Sequence, residues 1–250
     1  MMHIQMIHNI ITDITKNTNI NEILIHSKSE YSDKVDTVIV MATYNRLDFL
    51  QKTITSLSNT NLDNTLLIII DDKSNDDVIN YLKGLSIKNI PQLTIFKKEN
   101  KNMFDSFKLV FDACLSEENL KYFIIMDSDT IHKYDWLNKE KDLFNEKNNE
   151  NEKCIVTGFN TLSHPHTIVD NKYCKKKTIG GINILFNKDF YINILRDTLI
   201  NSDWDWTMSY KCSASNYNIY CTIPSVIQHI GNHYSTRGGY NAYGDVAHDY

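Results

Sequence analysis

Between Asp36 and Asp129 the sequence alternates short apolar runs, rich in β-branched residues, with stretches of helical periodicity, and three of the runs close on acidic or polar clusters. Thr37–Met41 (TVIVM) leads through a polar turn to Leu47, Leu50, Ile54 and Leu57 at helical spacing. Leu66–Ile70 is a second run, Asp76 or Asp77 can begin a helix, and Leu93–Phe96 is a third run. Met103, Phe104, Phe107, Val110, Phe111 and Cys114 then trace one helical face that leads into a fourth, Tyr122–Met126. Strand-then-helix repetition requires parallel pairing through helical crossovers, so the expected class is α/β with a mostly parallel central sheet.

The rest of the chain is less regular. Residues 1–35 mix short apolar and polar groups without a clear strand and are expected to form a partly helical N-terminal extension outside the core. After a helix near Trp136, the polar run Asn145–Lys153 is expected as a solvated loop. Candidate strands follow at Cys154–Phe159, Ile182–Phe186 and Ile219–Ile223, with helices near Phe190–Ile200 and Asp205–Cys212, which predicts a mixed sheet. Residues 36–135 and 136–250 thus read as two halves of one domain.

Composition excludes several classes. At 250 residues and 42% hydrophobic content the chain can bury a large core. A net charge of -5 argues against a nucleic-acid partner, which demands clustered Lys and Arg, while leaving room for a compact anion. The five cysteines lack Cys-x-x-Cys spacing, so neither a zinc site nor a disulfide framework is expected, and a reducing, cytoplasmic setting fits best. No stretch reaches the roughly 20 apolar residues of a transmembrane helix. No Gly-x-Gly-x-x-Gly follows the first strand, and no Walker loop occurs. The chain can also be one domain of a longer polypeptide.

In open α/β sheets ligands sit beyond the carboxyl ends of the strands. There the first run ends in Ala42-Thr43-Tyr44-Asn45-Arg46, the second in Asp71-Asp72-Lys73-Ser74, and the fourth in Asp127-Ser128-Asp129. Two positions apart in an extended segment, Asp127 and Asp129 point to one side and can grip a hard cation such as Mn2+ or Mg2+ that neutralises a departing diphosphate.

VIVMATYNR, LLIIIDDKSND, FIIMDSDT, TIGGINILF, SDWDW and PSVIQHIG, in this order over residues 36–233, resemble glycosyltransferase family 2 and its relatives with the GT-A fold, a Rossmann-like nucleotide-diphospho-sugar transferase architecture. The resemblance implies a non-processive, inverting transfer of one sugar from a nucleoside-diphosphate sugar, with UDP the expected carrier, to a hydroxyl of a glycan or other acceptor. It implies Thr43, Tyr44, Arg46, one or both of Asp71 and Asp72, Lys108, Asp127, Ser128, Gly180 and Gly181 around the donor. It implies Asp127 and Asp129 as the metal-binding Asp-x-Asp, with His229 on the metal or diphosphate and His233 and Arg237 assisting. The general base is Asp203 or Asp205. Asp203 aligns with the family's aspartate, though Ser202 breaks the pattern, while Trp204 and Trp206 around Asp205 can desolvate it and offer an acceptor platform. The Gln-x-x-Arg-Trp signature of processive synthases is absent, and Asn100-Lys101-Asn102 replaces the family's Asn-x-Gly.

Two other readings compete. A nucleotide-sugar or glycan-binding module that keeps the fold without turnover has the same motifs. A phosphatase of the haloacid-dehalogenase type also uses Asp-x-Asp after a strand, but expects Thr or Val where this chain has Ile131, and that motif opens its fold.

Overall fold

The computed structural model describes residues 2–26, 35–88, 90–164, 166–168, 170–231 and 246–250. The chain opens with helix α1 (Met2–Ile14) and strand β1 (Ile20–His26). The repeating units follow as β2 (Thr37–Thr43), α2 (Leu47–Ser58), β3 (Thr65–Asp71), α3 (Asp76–Gly84), β4 (Gln92–Lys97), α4 (Met103–Cys114) and β5 (Tyr122–Asp127). The second half contributes β6 (Thr130–His132), α5 (Trp136–Asn149), β7 (Cys154–Thr157), β8 (His166–Ile168), β9 (Tyr173–Lys176) and β10 (Asn183–Phe186). Helix α6 (Lys188–Phe190) runs into a π-helical turn at Tyr191–Leu195, followed by α7 (Trp204–Ala214), β11 (Asn218–Thr222) and β12 (Ile227–His229).

Among the described residues ten strands form one sheet, ordered β1-β4-β3-β2-β5-β10-β7-β11-β9-β8, and β6 with β12 forms a separate pair. Strands β4, β3, β2 and β5 run parallel, as the crossover argument requires. Strand β10 is antiparallel to both β5 and β7, whereas β7 and β11 are parallel, so the sheet is mixed and mostly parallel at its centre. Every residue of β3 is buried, because helices cover both faces. Val38 and Val40 face a core shared with α1, α4, the π-helical turn and α7, while Ile39 and Met41 face one shared with α2, α3 and α5. Asn75 and Asn102 cap α3 and α4 by accepting from the backbone N–H of Val78 and Asp105.

Two expectations are corrected. Residues 1–35 do contain a strand: β1 pairs antiparallel with β4, and α1 buries Met6, Ile10 and Ile14 in the core beside α4. Without β1, the row of N–H and C=O groups along β4 would form an open sheet edge. The polar run from Asn145 is helical to Asn149, because α5 carries Lys147 inward to Tyr173, where its Nζ donates to the phenol oxygen at 2.9 Å. Among the described residues no helix is long and apolar enough to cross a membrane. All five cysteines are buried and free.

Candidate active site

Chain order and sheet order diverge at β2. From β2 the chain moves outward to β3 and β4, then returns to β5 on the other side, and the crevice where connections part lies beyond the carboxyl ends of β2 and β5. Registers fix what meets there. Thr43 pairs with Asp71, and Ala42 pairs with Asp127, so Asp71, Thr43 and Asp127 stand along one edge of the sheet. Asp71 and Asp127 are two strand spacings apart, roughly 10 Å.

The β3 end is a pair of carboxylates with different surroundings. Asp71 is buried, and its Oδ2 accepts from the backbone N–H of Ser74 at 3.0 Å, while Oδ1 and the nearby hydroxyl of Thr43 have no partner among the described residues. Burial raises the Asp71 pKa, against the hydrogen bonds from Ser74. Asp72 is paired with the buried ammonium of Lys97, which also donates to the Asn102 carbonyl and the Ser106 hydroxyl, each at 3.1 Å. Tyr44, by contrast, is exposed.

Loops β2–α2 and β3–α3 are stitched together. The Asn45 backbone N–H donates to Ser74 Oγ at 2.7 Å, and Asn45 Oδ1 accepts from Asn75 at 2.9 Å. Asn45 and Arg46 both take left-handed backbone angles, φ 53° and 59°. Arg46 thereby reaches Asp129, its Nη2 lying 2.8 Å from Oδ2, with its guanidinium 4.4 Å above the Phe49 ring.

Asp129 is the hub. Strand β12 pairs His229 with Thr130, the Ile230 N–H donates to the Asp129 carbonyl, and His229 Nε2 lies 3.2 Å from Asp129 Oδ2. Burial works to raise the Asp129 pKa, but the hydrogen bond and charge of His229, joined by Arg46, outweigh it and hold the carboxyl below its ordinary value. Among the described residues no such direct partner reaches Asp127, and loss of water and the neighbouring Asp129 push its pKa up. Two carboxylates share one pocket with insufficient positive charge, and the burden falls on Asp127.

Across the crevice, Asp205 sits in the first turn of α7. Its Oδ2 accepts from the Gly181 N–H at 3.2 Å and its Oδ1 from the Trp206 N–H at 2.8 Å. Burial raises its pKa, and its charge acts on Asp127. Asp203 is exposed, and although its carbonyl accepts from the Thr207 N–H, its side chain caps no backbone group of α7. Trp204 is buried beneath Gly181, where a Cβ would overlap its ring, so Trp206 is the indole that faces solvent. Gly180 and Ser128 are half-buried in the flanking turns. Lys108 lies half-buried on α4, and among the described residues no ion pair joins it to these carboxylates. His233 and Arg237 lie outside the described residues.

Sequence reasoning missed Lys97 as the partner of Asp72, and Gly231, where a Cβ would overlap both Asp129 Oδ2 and Arg46 Nη2. Gly231 closes the segment PSVIQHIG, so a signal existed, but only the fold shows what it approaches.

A model of glycosyl transferase family 2 matches residues 38–203. The fold resembles the crystal structure of GalNAc-T7 with UDP, GalNAc and Mn2+ at TM-score 0.60 and 10% identity, covering 79% of this chain and 44% of that one. It also resembles S. aureus TarS 1–349 at TM-score 0.53 and 10% identity, covering 74% and 60%. This chain therefore spans less than two thirds of either. No curated protein sequence matches it.

Proposed function

From the premise that the chain belongs to glycosyl transferase family 2 and has the GT-A fold, we propose that it moves one sugar from a UDP-sugar to an acceptor hydroxyl, with a divalent cation and with inversion. The observation that carries this is the line of groups along the crevice: Asp71 with an unpartnered oxygen at one end, the Asp127 and Asp129 pair in the middle, and Asp205 opposite.

A nucleoside diphosphate spans such a line with its base at Asp71 and its phosphates near Asp127. As a carboxylate oxygen Asp71 Oδ1 accepts and cannot donate, which suits a base with a ring N–H, such as uracil. Asp72, held by Lys97, keeps the loop in place. GalNAc-T7, a structural neighbour, was crystallised with UDP and Mn2+, in keeping with this choice.

The donor set fits a hard cation: two oxygen ligands on one strand end, with excess negative charge and an imidazole beside them. Among the described residues no three His, Cys, Asp or Glu side chains already form a cage, so Asp127 and Asp129 would hold the cation with phosphate oxygens and water completing its shell. Bound there, a cation supplies charge to stabilise the leaving diphosphate.

Asp205 is the base. Its carboxylate takes the proton of the acceptor hydroxyl while that oxygen bonds to the anomeric carbon, and the carbon–oxygen bond to the diphosphate breaks with its electron pair on the phosphate oxygen. A raised pKa makes Asp205 a stronger acceptor of that proton. Attack opposite the leaving group inverts the anomeric configuration. Trp206 offers a ring face to the acceptor.

The test is thermal unfolding with Mn2+ and UDP together. The melting temperature is expected to rise for the parent protein and to stay unchanged in Asp127→Ala and Asp129→Ala; no shift in the parent contradicts the proposal.

A further inference from the structure

The Arg46 side chain approaches the carboxylate that the proposed cation needs. Its guanidinium lies 2.8 Å from Asp129 Oδ2, the oxygen that His229 Nε2 also approaches. An arginine arriving by chance on a surface loop would be mobile and screened, but this one is built in. Consecutive left-handed residues, Asn45 and Arg46, aim it, and Ser74 and Asn75 hold that backbone from the next loop. Left-handed geometry is unfavourable for a long L side chain such as Arg46, so the loop tolerates strain to place this side chain. Gly231 leaves the space in which Asp129 and Arg46 meet, since any Cβ there would overlap both. Phe49 lies under the guanidinium, a face along which it can shift and keep a favourable contact. The Arg46 side chain is 22% exposed, so it is not sealed into the core.

Charge explains what the contact does. The pocket holds two carboxylates, and both cationic side chains beside it, Arg46 and His229, lie against the same Asp129 oxygen. A divalent cation between the aspartates supplies what Arg46 supplies, and more, on the same oxygen. Both cannot be equally close to Asp129 Oδ2 without mutual repulsion. A diphosphate entering beside the cation brings new acceptor oxygens, the geometry that a guanidinium fork matches.

We infer that Arg46 is an exchangeable counter-ion: in the cation-free protein it neutralises Asp129, and when cation and nucleoside diphosphate bind it passes from Asp129 to the diphosphate. The inference rests on the metal-and-diphosphate reading above. It makes Arg46 a competitor of the cation and an ally of the nucleotide, so removing it shifts the two affinities in opposite directions.

Isothermal titration calorimetry of the whole chain separates these effects, with Mn2+ added first to the nucleotide-free protein and UDP then added to the Mn2+-saturated protein. In Arg46→Gln, Mn2+ is expected to bind about tenfold tighter and UDP about tenfold more weakly, typical sizes for coupling between two sites. Arg46→Lys, which keeps the charge but loses the fork, is expected to hold Mn2+ affinity within about threefold of the parent while UDP still binds more weakly. If Arg46→Gln fails to fold, the lysine variant decides: parental UDP affinity there overturns the inference. Unchanged or weakened Mn2+ binding in Arg46→Gln overturns it too, as does unchanged UDP binding. A parent protein that binds neither Mn2+ nor UDP removes the underlying reading and this inference with it, whereas a parent that binds both, with variants that shift them in parallel, leaves the reading standing and overturns only the exchange.

Discussion

Asp203 and Asp205 stand two residues apart at the start of α7, yet their surroundings differ. Asp205 is held by the N–H groups of Gly181 and Trp206 and has its pKa raised by burial, whereas Asp203 is exposed with its Oδ1 near the Ser202 hydroxyl. Asp205→Asn is expected to lower kcat by about a hundredfold to ten-thousandfold, the range for losing a general base. Asp203→Asn is expected to stay within about threefold, as exposed substitutions do; steady-state kinetics with the reverse order would move the base to Asp203. The sequence left these two open because a helix start exposes both to the same tests of spacing, and burial alone tells them apart. His132 carries a pH effect. Burial pulls its imidazole from the usual 6.5 down to about 3. Between those values the unfolded chain binds a proton that the folded chain refuses, so His132's contribution is complete above pH 6.5 and is lost as the pH falls toward 3. His132→Gln is expected to weaken the loss of stability between pH 7 and pH 5 in urea unfolding, and an unchanged slope would show that His132 is not its source.

At the level of elements, strand–helix units with strong periodicity were legible and short or edge elements were not. Strands β6, β8 and β12 have three residues each, too few for alternation to register; β6 and β12 exist because they complete each other from far along the chain, and β8 because it pairs with the neighbouring β9. Strand β1 failed for another reason: Asn21 and Glu22 interrupt its apolar residues, as suits an edge strand with half its groups facing solvent. Helix α1 was readable in principle, since Met6, Ile10 and Ile14 fall four residues apart and all are buried. Its packing makes a prediction that an appendage would not satisfy. Ile10→Ala is expected to cost about 2–5 kcal/mol, the range for a fully buried aliphatic truncation. Chemical denaturation would detect it, and a loss below about 0.5 kcal/mol, as at a surface site, would return α1 to the periphery.

For the molecule as a whole, the class was legible because parallel sheets force buried strands into continuous apolar runs, and a candidate site could be named because such sheets present ligands to their carboxyl ends. What single positions could not reveal is which groups converge from far along the chain. Arg46 reaches Asp129 only because β2 and β5 are neighbours, and His229 does so only because β12 pairs with β6. The same convergence separates Asp72, tied to Lys97, from Asp71, whose Oδ1 is buried with no hydrogen-bond partner among the described residues. The central claim is that this line of groups supports transfer from a nucleotide sugar. It is tested most directly by incubating the protein with a panel of UDP-, GDP- and dTDP-sugars and measuring released nucleoside diphosphate, with Mn2+ or with chelator. Release from at least one UDP-sugar, abolished by chelator and by Asp127→Ala, is the predicted result; no release from any donor, or release that chelator leaves unchanged, would contradict it.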